Sequence, residues 1–308
     1  MIPMLNRRRF LTISAAALCL PYAAHAAVPV AEWHGTALGA GASLRLVGQT
    51  PAAAAPVFAA IETELKRLEN IFSLHRAGSE LSKLNRTGQL ADPSAEMLEL
   101  LTLAGAVHQA TNGAFDPTVQ PLWQLWAEGL GQSPELAELT QARALIGWDD
   151  VRISSDAIRF ARPGMAMTLN GIAQGYITDR VAGLLRAKGF TDVLVDMGEI
   201  AALGQRPDGG NWEAGIATPE GQIVHRVQLR DRALATSAPL GTVLDVAGNV
   251  GHILNPKNGQ PATLRTLVSV SAERAALADA LSTAFCLMDD TAIAQAMSIY
   301  PEVRLEVS

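Results

Sequence analysis

The sequence predicts an α+β fold: one domain of mixed and antiparallel sheets with packed helices. Three observations carry this. Short β-type segments come in pairs separated by turn residues, and single helices are interspersed among them rather than alternating with every strand. No repeat and no Pro/Ser-rich linker divides the 308 residues, a length near the upper end for one domain.

The first 26 residues stand apart from that domain. Asn6-Arg7-Arg8-Arg9-Phe10-Leu11 is a basic start, an apolar run follows, and Ala24-His25-Ala26 has the small-x-small form of a cleavage site. The run is too short for a membrane span. Arg-Arg-x-Phe-Leu is also the twin-arginine export pattern, which delivers a folded protein to a bacterial periplasm; an ordinary Sec signal is the alternative. The expected mature domain is therefore 27–308, with no transmembrane segment.

Five helices are expected in chain order. Val57, Ile61, Leu65, Leu68 and Phe72 recur at helical spacing after Pro51. Met97 to His108 is apolar along one side and stops at Asn112-Gly113. Ser133-Pro134 has the form of an N-cap followed by a first helical position. Tyr176 to Lys188 places Ile177, Val181, Leu184 and Leu185 on one side and ends at Gly189. The last helix runs from about Arg274 to Met288.

The β-type segments are Ser43 to Val47, Gly164 to Leu169, Asp192 to Asp196, Trp212 to Ala217, Val224 to Leu229, Leu267 to Val270 and Val303 to Val307. Arg206-Pro207-Asp208-Gly209-Gly210, just before Trp212, suggests a hairpin turn.

Charge and cysteines narrow the function classes. Loss of the export segment removes three arginines and no acid, moving the formal charge from −6 to about −9. Nucleic acid and anionic membrane need basic patches, so neither is an expected partner. Cys286 is the one cysteine left and lies among Phe285, Leu287 and Met288, so no internal disulfide forms and the thiol is expected in the core.

Four stretches have chemical potential, each beside a plain structural reading. Thr168-Leu169-Asn170-Gly171-Ile172-Ala173-Gln174-Gly175 joins a strand to a helix, a geometry that can face an anion. It matches neither dinucleotide nor Walker spacing, and close backbone approach at a helix entry explains it equally. Asp279 and Thr283, four apart, share a helix face and offer two hard oxygens suited to Mg²⁺; the plain reading is a capping Asp and a Thr bonded to its own helix. His252, ahead of the Asn258-Gly259 turn, is a general base or a structural His. Gly113-Ala114-Phe115-Asp116-Pro117-Thr118 is an Asp-Pro turn or a site loop.

In order along the chain, these stretches join others: Gly35-Thr36-Ala37-Leu38-Gly39-Ala40, Phe72-Ser73 through Ser79-Glu80-Leu81-Ser82-Lys83-Leu84-Asn85, Met197-Gly198-Glu199-Ile200, and Leu234-Ala235-Thr236-Ser237. Together they span the mature chain, which resembles the periplasmic FAD:protein FMN transferases, the ApbE family. The resemblance implies a single ApbE-like domain that binds FAD and Mg²⁺. It implies transfer of FMN to a Thr or Ser hydroxyl of a target flavoprotein, with release of AMP. By resemblance, Asp279 and Thr283 ligate Mg²⁺ together with the Gly171 carbonyl, and Asp279 counts among the catalytic residues. Leu38, His75, Ala114, Phe115, Asp116, Thr168, Gln174 and Ile253 fall where the family holds the flavin nucleotide, and Ser282 matches an FAD contact. His252 is the candidate base or positioning residue for the incoming hydroxyl.

The departures cluster. The family commonly has Asp at Thr168, Lys or Glu at Gln174, a small residue at Asn170, Met at Leu38 and Thr at Asn258. The Asn-Gly-Ile-Ala-Gln-Gly form resembles the branch associated with nitrous oxide reductase maturation, whose target is a membrane flavoprotein. Two other activities stay open on the sequence: a Mg²⁺-dependent FAD pyrophosphatase, with water as nucleophile, and a non-catalytic FAD-binding or flavin-donor protein.

Overall fold

The computed structural model describes residues 28–308, so the expected export signal lies outside the described residues. The chain opens with a hairpin, β1 (Val30–Ala37) and β2 (Ala40–Val47), turned by Leu38 and Gly39 at φ +48° and +87°. Positive φ at both central residues is the turn that matches strand twist.

The helix α1 (Pro51–Phe72) follows, with Thr50 Oγ1 accepting from Ala53 N–H, then α2 (Glu80–Thr87), β3 (Gln89–Ala91) and α3 (Ala95–Ala110). Ser79 and Ser94 cap α2 and α3 in the same way. Next come α4 (Gln120–Glu128), α5 (Leu136–Arg143), β4 (Val151–Ile153), β5 (Ala157–Phe160) and α6 (Ala173–Ala187). The second half contains β6 (Val193–Asp196), β7 (Ile200–Leu203), β8 (Trp212–Ala217), β9 (Ile223–Leu229), β10 (Arg232–Ser237) and β11 (Val268–Ala272). It ends with α7 (Ala275–Phe285), α8 (Asp290–Ile299) and β12 (Arg304–Val307).

Seven strands form an antiparallel sheet in the order β1-β2-β6-β7-β10-β11-β12. Its central strands are apolar on both faces because both are covered. Val193, Val195, Ala201, Ala233 and Ala235 point into the main core, which includes α1, α3, α6 and α7. Their alternates Leu194, Ile200, Ala202 and Leu234 point into a second core against the β8–β9 hairpin. A third cluster, including Leu122, Trp126, Leu139, Leu244 and Leu254, ties α4 and α5 to the segment that carries His252. The α+β expectation therefore stands as one fold, with helices on one face of the sheet and a hairpin on the other.

Three expectations are corrected. Residues 164–169 form no strand: Met167 exchanges both backbone bonds with the Asn85 amide, at 2.8 and 2.7 Å, and Thr168 N–H donates to Pro117 O at 2.8 Å. The Ser133-Pro134 helix begins later, at Leu136, because Glu135 and Glu138 form a capping box at its entry. The turn at 206–210 closes, with Arg206 N–H donating to Gly210 O at 2.8 Å, but it links β7 to β8 in a different sheet. The hairpin partner of β8 is β9.

Candidate functional site

A solvent-open cleft lies where the β1–β2 turn, the end of α1, the loop after α3 and the start of α6 meet α7 and the 239–256 segment. Leu38 reaches it from the hairpin turn and His75 from beyond α1. Ala114, Phe115 and Asp116 line it from the loop after α3, and Thr168, Gly171 and Gln174 from the α6 entry. His252 and Ile253 form another wall, and Asp279 and Thr283 face in from α7. Residues from 38 to 283 thus meet in one place. Ser282 is the exception among the expected residues. It is fully buried behind the wall, its Oγ 2.8 Å from Ser237 Oγ and donating to Asp279 O at 3.0 Å.

The α6 entry and α7 are in intimate contact. A Cβ on Gly175 would lie 2.4 Å from Ala275 O, so no other residue fits there without moving backbone. At this approach Asp279 Oδ2 accepts Gly175 N–H at 3.0 Å, supplying a first-turn donor of α6 with the partner that its own N-cap, Ile172, lacks. One turn further, a Cβ on Gly171 would lie 2.9 Å from Thr283 Oγ1, so the Gly171 backbone and that hydroxyl are neighbours. Ser237 Oγ stands 3.3 Å from the same hydroxyl.

Carboxylates dominate the electrostatics. Burial pushes Asp279 up to about 7; the Gly175 N–H opposes this and the negative Asp179 adds to it. Burial likewise raises Glu199 well above its ordinary value, with Asp279 and Asp196 as neighbouring negative charges, and raises Asp196 to about 6. A desolvated acidic floor of this kind favours a cation. Among the described residues no three His, Cys, Asp or Glu side chains group as a metal site. The expected donors are instead one carboxylate, one hydroxyl and one backbone carbonyl. That set is all hard oxygen, and the missing Cβ of Gly171 leaves its backbone next to Thr283, so the residues fit Mg²⁺.

His252 is held in one tautomer. Its Nδ1 lies 3.0 Å from Pro239 O and 3.1 Å from Thr242 O. Both carbonyls only accept, so Nδ1 carries the hydrogen and Nε2 keeps its lone pair. Burial lowers the His252 pKa, the two carbonyl bonds working against that shift, and the ring is neutral at pH 7.

Two other expected residues serve the local fold as well. Asp116 Oδ1 accepts Thr118 N–H at 2.8 Å and Thr118 Oγ1–H at 2.6 Å, capping the 3-10 turn at Pro117–Val119, and burial raises its pKa. Gln174 packs over Gly198, where a Cβ would meet its Nε2 at 2.5 Å, and φ at Gly198 is +101°. Glu199 and Ser237 also line the cleft, although motif reasoning gave them no role. The available signal was a Glu between a Gly turn and an apolar strand, and a Ser at the end of an otherwise buried one.

The ApbE family model matches residues 38–304. The chain is 30% identical over 259 residues to a Vibrio cholerae protein named FAD:protein FMN transferase, covering 78% of this chain and 77% of that one. A Haemophilus influenzae protein of the same name is 28% identical over 269 residues, covering 80% and 78%. Among solved structures, the flavin transferase ApbE of Vibrio cholerae superposes with a TM-score of 0.78 at 27% identity, covering 90% of this chain and 93% of that one. The Thermotoga maritima ApbE protein gives 0.77 at 27% identity, covering 90% and 94%.

Proposed function

We propose that this chain, which belongs to the ApbE family, transfers FMN from FAD to a Thr or Ser hydroxyl of a target flavoprotein and releases AMP. The names of its relatives support flavin transfer from FAD to a protein. The observation that carries the finer reading is the meeting, in one cleft, of Asp279, Thr283 and Gly171 with a neutral His252 whose Nδ1 is committed.

Asp279 Oδ1, Thr283 Oγ1 and the Gly171 carbonyl would hold Mg²⁺, which supplies neutralisation of charge developing on the pyrophosphate. The remaining steps belong to the chain's own groups. The cleft orients the FAD pyrophosphate against the acceptor hydroxyl. His252 Nε2 takes the hydroxyl proton as oxygen attacks the phosphorus of the FMN half. The bond from that phosphorus to the bridging oxygen breaks, and AMP leaves with the bridging oxygen. FMN remains as a phosphoester on the acceptor.

Gln174 and Thr168 reduce the charge that the family usually places at two nucleotide contacts, and FAD affinity or target choice is where that difference would be felt. A membrane-associated target and a periplasmic location, reached through the twin-arginine-type leader, are parts of the same proposal. Among the described residues no helix is long and apolar enough to cross a membrane.

The test is incubation of residues 27–308 with FAD, MgCl₂ and a Thr-bearing acceptor domain. Covalent flavin fluorescence on the denatured acceptor, lost in His252→Ala, is expected. AMP without labelled acceptor would make the protein a pyrophosphatase, and neither product would make it a flavin binder.

A further inference from the structure

The contact of α6 and the two residues before it with α7 has three rungs, each about four residues apart on both segments. At the cleft end Gly171 faces Thr283, where a Cβ would lie 2.9 Å from Oγ1. In the middle Gly175 N–H donates to Asp279 Oδ2 at 3.0 Å. At the far end Asp179 Oδ1 accepts Ala275 N–H at 2.7 Å and Oδ2 accepts Ala276 N–H at 3.0 Å. Successive rungs move four residues forward on one chain segment and four back on the other, the register of antiparallel helices. Two of the rungs hold all three proposed metal ligands.

We propose that Asp179 is a positioning residue for the metal site. It does not line the cleft and its bonds go to the α7 backbone rather than to any of the three ligands, although its negative charge is felt at Asp279. It sets where α7, and with it Asp279 and Thr283, stands relative to Gly171.

The α7 N-cap, Arg274, makes no side-chain cap bond, and Ala275 and Ala276 are fully buried. Their N–H groups would be orphaned without Asp179, and unpaired buried donors are costly. Asp179 therefore caps α7 from another helix, while Asp279 returns the same service to α6. The pair of caps fixes both the slide and the rotation of one helix on the other. Gly175 permits that contact but, with no side chain, cannot hold its register. A slip of one residue would move Thr283 about 1.5 Å along the axis, enough to break a Mg²⁺ coordination sphere that demands near-ideal distances.

The inference rests on the proposed metal site, and its test separates the two. Mg²⁺ alone is titrated calorimetrically into wild type and Asp179→Asn, alongside melting curves and FAD binding in EDTA. Asparagine keeps the shape but offers an amide N–H to one of two backbone donors. Weaker Mg²⁺ binding by about tenfold, with metal-free FAD affinity within about twofold, is expected. A lower melting temperature with unchanged Mg²⁺ affinity would reduce Asp179 to a structural cap and overturn the proposal. Wild type that takes up no Mg²⁺ would overturn the metal site itself, and this inference with it.

Asp179→Asn also removes a negative charge felt at Asp279. Ala275→Pro keeps that charge and removes a donor of the same rung from the other side, so it is measured beside Asp179→Asn and serves alone should that variant fail to fold. Residue 275 is the first helical position, where Pro is tolerated, and Arg274 already has the extended backbone that precedes a proline, at φ −114° and ψ 130°. The same shift in Mg²⁺ affinity is expected, and its absence overturns the proposal equally.

Discussion

Gly171 and Thr283, 112 positions apart in the chain, stand so close that one added carbon on Gly171 would lie 2.9 Å from the Thr283 hydroxyl oxygen and 3.1 Å from its methyl. The φ angle at Gly171 is not in the left-handed region, so the requirement for glycine there is one of space alone. Gly171→Ala should force Thr283 to turn its hydroxyl away while leaving both helices in place. The expected result is Mg²⁺ affinity reduced at least about tenfold, with the melting temperature within about 2 °C of wild type. Calorimetry and a melting curve on the same sample check both halves.

The two glycines of α6 should respond in opposite ways. Gly175→Ala drives a Cβ to 2.4 Å from Ala275 O and 2.7 Å from Ala276 Cα, which are backbone atoms that cannot step aside. A loss of about 3 kcal/mol is expected. Gly183→Ala meets nothing within 4 Å in the same helix and should gain about 0.5–1 kcal/mol. Denaturant unfolding midpoints of the two variants check the contrast.

The acidic floor gives metal-free protein a pH dependence of defined sign. Burial raises Asp279 to about 7, Asp196 to about 6 and Glu199 well above its ordinary value. Between about 4 and 7 the folded state therefore binds more protons than the unfolded chain, and stability falls as pH rises through that window. Melting temperature in EDTA should decline from pH 5 to pH 8. The increment produced by Mg²⁺ should grow over the same range, because the ligating carboxylate must be deprotonated. Asp279→Asn should flatten both trends.

His252 works in the other direction and at lower pH. Its pKa is depressed by burial below the ordinary 6.5, so the neutral base persists into mildly acidic solution. The unfolded chain takes up that proton first, and this term costs stability as pH falls below about 6.5. The transfer rate at saturating FAD should lose activity on a limb centred below 6.5. His252→Gln should remove that limb and lower the rate by about 10²–10⁴-fold.

How much of this was legible beforehand depended on whether the physical cause was local. The helix from Tyr176 and the one after Pro51 announce themselves by an apolar stripe, because each buries one face. The β1–β2 hairpin was only half visible. Its buried positions include small Ala31 and Ala37, and its turn uses Leu38 at positive φ where Asn is the usual signal. The run at 164–169 looked like a strand because Met165, Ala166, Met167 and Leu169 are apolar and buried, yet the Met167 backbone is satisfied by the Asn85 side chain from 82 positions away. The site divided in the same way. Asp279 and Thr283 share a helix face by spacing alone, whereas the service of Asp179 to α7 depends on a contact 96 positions distant that no local pattern encodes.

The central claim is that this cleft couples breakage of the FAD pyrophosphate to phosphoester formation on a protein hydroxyl. Its most direct measurement is the ratio of AMP released to FMN found on the acceptor, by chromatography and intact-protein mass spectrometry in one reaction with Mg²⁺. About one AMP per covalent FMN is expected, as the balanced transfer requires, and neither product in Asp279→Ala at limiting metal. AMP formed in large excess over labelled acceptor, or labelling that persists in Asp279→Ala at limiting Mg²⁺, would contradict it.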